Sequence, residues 1–167
     1  LCKLCKTIKL KFFPQADTVS AMKDKLILVV EDNPDHMELT VLTLKEHGVT
    51  AEIAAARDGA EALEYLFGQG RYAGRDTERQ PSFILLDMKL PKLSGLDVLR
   101  SVRANPLTAL VPVVMLTSSS EQSDIVACYE SGANSFIRKP VDFGEFTEKL
   151  DCVQSYWLGV NEPVTPG

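Results

Sequence analysis

Four short apolar runs in this sequence end in polar residues of the kinds that do chemistry. Leu26 to Val30 leads into Glu31 and Asp32, Phe83 to Leu86 into Asp87, Val113 to Leu116 into Thr117 and Ser118, and Phe136 to Ile137 into Arg138, Lys139 and Pro140. In open parallel sheets the ligand crevice lies beyond the carboxyl ends of the strands, and right-handed crossovers bring those ends to one edge. Each residue alone has a plain explanation: Asp32 as part of a helix cap, Thr117 as a strand terminus, Lys139 as a solvated charge. Their joint placement is what points to a site.

Two carboxylates about 5 Å apart repel by roughly 3 kcal/mol at an effective dielectric of about 20. Glu31, Asp32 and Asp87 therefore call for a cation or a raised pKa. Mg²⁺ fits, because it takes hard oxygen ligands, keeps several waters and is commonly held by one or two carboxylates plus phosphate oxygens. The expectation is an all-oxygen site, with no cysteine or histidine among its donors. A metal and a lysine around a carboxylate suit phosphoryl transfer, in which the protein mainly positions groups and neutralises charge. Asp87 is then the nucleophile that forms an acyl phosphate. Lys139 stabilises the incoming charge and Thr117 donates a hydrogen bond to it.

The elements that must position these residues are legible as alternating runs. Five qualify as strands of an α/β parallel sheet: Leu26 to Val30, Ile53 to Ala56, Phe83 to Leu86, Val111 to Leu116 and Ser135 to Ile137. Asn33 and Pro34 read as cap and first residue of a helix with Met37, Val41 and Leu44 inward and Gly48 at its end. Asp58 opens a second helix that buries Leu63, Leu66 and Phe67. Ser94 and Asp97 form a capping-box-like pair ahead of Leu96, Leu99 and Val102. Ile125, Cys128 and Tyr129 line a fourth helix closed by Gly132. Phe143, Phe146, Leu150, Val153 and Trp157 follow an Asp142 cap in a fifth. Gly68 to Pro81 has no period and reads as a long exposed loop.

Composition sets the outer limits. A chain of 167 residues, 45% hydrophobic, suits one compact domain. A net charge of -5 leaves no large basic surface, so direct nucleic-acid binding is not expected. Cys2 and Cys5 supply half a tetrahedral zinc site, while Cys128 and Cys152 fall in apolar helical stretches where thiols pack as small hydrophobes. No apolar run approaches the ~20 residues of a membrane span, and a reducing cytoplasm fits the cysteine usage. Residues 1–22 form a basic N-terminal extension with a boundary near Met22. Ile8, Leu10 and Phe12 alternate there with Lys9 and Lys11, which leaves three readings open: an extra strand, a membrane-surface contact, or a leader or vector-derived extension.

At the strand-end residues the chain resembles the receiver domains of two-component response regulators. The likeness rests on V-V-E-D-N-P at 29 to 34, L-L-D-M-K-L-P-K-L-S-G at 85 to 95, M-L-T-S-S at 115 to 119 and F-I-R-K-P at 136 to 140. The resemblance implies a flavodoxin-like, doubly wound (βα)5 fold of strand order 2-1-3-4-5, with the receiver domain at 23–158 and a C-terminal tail at 159–167. It implies phosphorylation of Asp87 by a sensor histidine kinase, and Mg²⁺ held by Asp32, Asp87 and the backbone carbonyl of Lys89, with Glu31 acting through water. It further implies a cis peptide before Pro140 and a switch pair of Thr117 and Phe136, the latter standing where tyrosine is frequent. Plain core packing is the alternative for Phe136. The 68–81 loop and Tyr156-Trp157-Leu158 are similar to stand-alone receivers that partner phytochrome-type histidine kinases, in which dimers form through the fourth and fifth helices. Finishing the core is the alternative for Tyr156 and Trp157. Such a protein is a phosphoacceptor switch, not an enzyme acting on other substrates, and signals through contacts.

Other classes fit less well. A dehalogenase-like aspartyl phosphatase would want D-x-D after the first strand, where Glu31-Asp32-Asn33 stands. A flavodoxin-like electron carrier would want a hydroxyl- and glycine-rich phosphate loop there. A phosphorylation-independent binding module would be expected to lack one of Asp32, Asp87, Thr117 or Lys139, and all four are present.

Overall fold

The computed structural model describes residues 25–46 and 51–164. The boundary near Met22, the alternation at Ile8 to Phe12 and the helix end at Gly48 lie outside the described residues. Strands β1 (Leu26–Val30), β2 (Glu52–Ala56), β3 (Phe83–Asp87), β4 (Val113–Thr117) and β5 (Ser135–Arg138) alternate with helices α1 (Pro34–Glu46), α2 (Gly59–Phe67), α3 (Gly95–Ala104), α4 (Gln122–Glu130) and α5 (Phe143–Ser155). The strands form one parallel sheet in the order β2-β1-β3-β4-β5. The sequence pattern led us to expect five parallel strands, and the resemblance implied this doubly wound, flavodoxin-like order.

The three central strands are buried at every position, whereas edge strands β2 and β5 are largely half-buried or exposed. A strand covered on both faces has no polar side to show, which is why LILVV, FILLD and VVMLT read as unbroken apolar runs. Alternate residues serve opposite faces. Leu28, Val30, Ile84, Leu86, Val113 and Met115 pack with Leu66 of α2, Val98, Leu99 and Val102 of α3, and Cys128 of α4. Ile27, Val29, Phe83, Leu85, Val114 and Leu116 pack with Leu44 of α1 and with Phe146 and Leu150 of α5.

Several local expectations hold. Asn33 Oδ1 accepts the N–H groups of Asp35 and His36 at 2.9 and 3.1 Å, with Pro34 as the first helical residue. The side chains of Asp58, Ser94 and Asp142 cap α2, α3 and α5 by accepting the N–H groups of Glu61, Asp97 and Glu145.

Others need correction. Phe143 and Tyr129 are 57% and 52% exposed rather than inward, because each sits at a helix end where the apolar stripe has turned away from the sheet. The fourth strand begins at Val113, not Val111. Val111 still belongs to the preceding turn, its N–H bonding to the Thr108 carbonyl at 2.9 Å. The 68–81 loop is tied down as well as exposed: a short 3₁₀ turn at Gly70–Tyr72 leads into a Tyr65–Tyr72 edge-to-face pair, and Arg75 lies 4.2 Å over the Tyr65 ring. After α5 the chain widens into a π-helical turn at Tyr156–Val160, which buries Leu158. None of the described peptide bonds is cis, so the bond before Pro140 is trans.

One contact positions the site directly. A Cβ on Gly95 would stand 2.2 Å from the Asp87 carbonyl oxygen, so only glycine lets the start of α3 lie against the end of β3. Gly95→Ala should lower unfolding stability by about 1–3 kcal/mol, read as a fall in denaturant midpoint at unchanged m-value. An unfolding curve that superimposes on the unaltered protein would show that the backbone can step aside at no cost.

Candidate functional site

Parallel register carries the strand ends to one edge. Val30 pairs with Leu86, Asp87 with Leu116, and Thr117 with Arg138. The ladder continues past the strands: Glu31 N–H bonds to the Ala56 carbonyl at 3.0 Å, and Lys139 N–H to the Thr117 carbonyl at 2.7 Å. The residues singled out in the sequence thus emerge side by side from four different strands.

One carboxylate oxygen from each of Glu31, Asp32 and Asp87 lies within 4.8 Å of the other two. Glu31 and Asp87 are buried, while Asp32 stands at the exposed mouth. Lys139 Nζ donates to Glu31 Oε2 at 2.5 Å and also to Asp87 Oδ2. The ammonium therefore points inward across a trans Lys139–Pro140 bond. Asp87 Oδ1 accepts the Lys89 N–H at 3.0 Å, which fixes the carboxylate from the following loop. Fully buried Thr117 accepts the Ser119 N–H at 3.0 Å through Oγ1, an oxygen that still carries its own proton to donate.

Burial pushes the Glu31 carboxyl above its ordinary value, and the Asp87 charge adds to this, whereas Lys139 pulls it down. Three carboxylates facing one ammonium leave an excess of negative charge in a shielded place. Hard oxygen donors at this spacing fit a small divalent cation. Phe136 is half-buried, packs against the core on the α2–α4 face and pairs with Met115. With Ile137, Glu145, Lys149 and Cys152 it lines a cleft of about 580 Å³ between β5 and α5.

Sequence reasoning missed three features here. His36 Nδ1 lies 3.5 Å from Glu31 Oε1, beside the carboxylate cluster without being part of it; its place in the first turn of α1 was a usable signal. Lys92 adopts φ +66° and donates to Asp58 Oδ2 at 2.5 Å, joining the β3–α3 loop to the start of α2. Nothing about a lysine announces a left-handed backbone. Buried Glu61 accepts Arg57 N–H at 3.0 Å and Tyr72 O–H at 2.9 Å, and so anchors the 68–81 loop.

A parallel five-stranded sheet with two acids after β1, an acid ending β3, a hydroxyl ending β4 and a lysine after β5 defines a receiver domain. Residues 27–151 match the response regulator receiver domain family, and the chain belongs to it. It is similar to Rcp1 of Synechocystis, a response regulator, at 34% identity over 80% of this chain and 89% of that protein. The Mn²⁺-bound structure of Rcp1 superimposes with a TM-score of 0.78, at 33% identity over 84% of this chain and 99% of that one. The phosphorylated cyanobacterial phytochrome response regulator RcpA gives a TM-score of 0.79 at 32% identity, over 84% and 99% of the two chains. A probable methanogenesis regulatory protein, FilR2 of Methanothrix harundinacea, is 34% identical over 90% of this chain and 94% of its own. Among the described residues no helix is long and apolar enough to cross a membrane.

The Lys92–Asp58 bond holds the Asp58 carboxyl below its ordinary value, with the Glu61 N–H adding to the effect. A depressed folded-state pKa stabilises the protein fully above the unfolded value and loses that contribution as pH falls through the folded one. Lys92→Met should therefore lower the denaturant midpoint at pH 7, and the gap should close as pH drops below about 3.8, the group's ordinary value. An equal gap at neutral and acid pH would show that lost packing, not charge, is responsible.

Proposed function

We propose that this chain is a phosphoacceptor switch in a two-component relay, taking a phosphoryl group from a sensor histidine kinase onto Asp87. The observation that carries this reading is the Lys139 ammonium on Asp87 Oδ2, beside a pocket of unneutralised carboxylate oxygens. An Asp87 carboxylate oxygen attacks phosphorus, the bond from phosphorus to the kinase imidazole breaks, and an acyl phosphate forms. Lys139 balances the charge on the phosphoryl oxygens, and Thr117 turns its hydroxyl proton toward them. Mg²⁺ is the proposed ion. Asp32, Asp87 and the Lys89 carbonyl would hold it, with Glu31 acting through water, and it would neutralise the charge that builds up during transfer.

Thr117 and Phe136 form the proposed switch pair, with Phe136 standing between the core and the cleft beside α5. Output passes by contact. Exposed Val126 and Tyr129 on α4, and Tyr156 and Val160 just after α5, support homodimer formation through those helices. The likeness to RcpA supports a phytochrome-type kinase as partner. The proposed receiver domain spans 23–158, with residues 1–22 as an extension not needed for the chemistry and 159–167 as a tail. A cytoplasmic site of action accords with Cys128 being a buried thiol.

Acetyl phosphate with Mg²⁺ should label the protein, and Asp87→Asn should abolish labelling; a label that survives this change would sink the assignment. A chain shortened to begin at Met22 should label at the same rate as the full chain. Loss of folding on truncation would assign the extension a structural role instead.

A further inference from the structure

The loop from β3 to α3 contains a strained turn that the proposed chemistry does not itself require. Leu93 N–H bonds back to the Pro91 carbonyl at 2.8 Å, closing a three-residue turn around Lys92, whose φ is +66°. A tight turn of this hand is rare and costs free energy in any residue but glycine. Such outliers persist where neighbours over-determine them, and they concentrate at functional sites. Two contacts hold this one. Lys92 Nζ donates to Asp58 Oδ2 at 2.5 Å, while Asp58 Oδ1 caps α2 by accepting the Glu61 N–H at 2.8 Å. A Cβ on Gly59 would stand 2.5 Å from the Leu93 carbonyl oxygen, so the start of α2 is built against the turn.

The same loop leaves directly from the acceptor carboxylate. Gly95 N–H bonds to the Met88 carbonyl at 3.0 Å, which closes residues 89–94 into a short loop with Lys89 at its entrance and Lys92 near its middle. Lys89 N–H donates to Asp87 Oδ1 at 3.0 Å. What Lys89 would offer a cation is its backbone carbonyl, and no choice of side chain at that position re-aims a carbonyl. Its direction follows from the torsions of the loop, which are pinned where Lys92 meets Asp58.

We propose that Lys92 and Asp58 are positioning residues for the Asp87 pocket: their bond holds the strained turn in the form that aims the Lys89 carbonyl at the divalent ion. This rests on the reading that the pocket binds Mg²⁺ for phosphoryl transfer to Asp87. Both residues act through the loop. The Lys92 side chain is 66% exposed and that of Asp58 12%, so the bond tunes metal affinity and does not create it.

The test measures Mg²⁺ affinity by calorimetry, and labelling of Asp87 by acetyl phosphate across a Mg²⁺ series. It compares the full chain with Lys92→Met, Asp58→Asn, the two combined, and Lys92→Arg. Asn caps a helix as well as Asp does, so Asp58→Asn keeps α2 and removes the charge. Each of these two single variants should weaken Mg²⁺ binding about fivefold, the scale of a partly exposed ion pair. The Mg²⁺ needed for half-maximal labelling should rise by the same factor, while the rate at saturating Mg²⁺ holds. The combined variant should be no weaker than either single one, because both changes remove one bond. Lys92→Arg, which keeps the cation, should restore affinity. Unchanged Mg²⁺ affinity in Lys92→Met and Asp58→Asn would overturn the proposal and leave the bond a purely structural one; losses that multiply in the combined variant would overturn it too. Asp58→Asn decides by itself where Lys92→Met fails to fold. An unaltered chain that binds no Mg²⁺, or binding indifferent to Asp87→Asn, would instead overturn the pocket reading and this inference with it.

Discussion

The contact of the Lys139 ammonium with both Glu31 and Asp87 is the interaction on which the strand-end pocket depends. The three side chains are 11%, 2% and 9% exposed, so water screens them poorly. Removing one partner of a buried charge pair typically costs about 3–5 kcal/mol, because the remaining charge is left desolvated and unpaired. Here two carboxylates would be stranded together. Lys139 thus makes a buried acidic pocket compatible with a stable fold, and it does so by contacting the oxygens on one side only. The remaining oxygens of Glu31 and Asp87, with Asp32 at the mouth, keep an unspent negative charge.

That neutralisation is a property of the sheet. The lysine lies 108 residues from Glu31 and 52 from Asp87 along the chain, and only pairing in the order β2-β1-β3-β4-β5 places them together. The three central strands, buried throughout, form a close-packed and weakly compliant base. The groups at their ends therefore sit on a rigid edge. The loops beyond are fixed by separate devices: the close approach of Gly95 to the Asp87 backbone, the Lys92–Asp58 bond, and Glu61 holding the 68–81 loop through Tyr72.

The relatives bear on this division between scaffold and edge. RcpA and Rcp1 share about a third of their residues with this chain, yet each superimposes along nearly its whole length. Such likeness follows when buried strands accept any apolar residue of suitable size, so that a fold persists while its sequence drifts. FilR2, a probable regulator of methanogenesis, is as similar in sequence as Rcp1. A shared scaffold accordingly says less about the signal than the exposed surfaces do.

The sequence by itself determined the five strands, their helices, most helix caps and the residues at the strand ends. Those features follow from local rules: a strand buried on two faces must be apolar throughout, and a helix start needs a side-chain acceptor. It misjudged Phe143 and Tyr129, because apolar spacing does not reveal where a helix end departs from the sheet. It passed over His36, which approaches Glu31 to 3.5 Å from the first turn of α1. The tertiary structure alone decided that Lys139 bridges two acids across a trans bond to Pro140, that Lys92 takes a left-handed backbone to reach Asp58, and that Glu61 anchors a loop. Each is a contact between groups brought together by strand order and loop closure, and hydrophobic periodicity carries no information about which polar atoms will then meet.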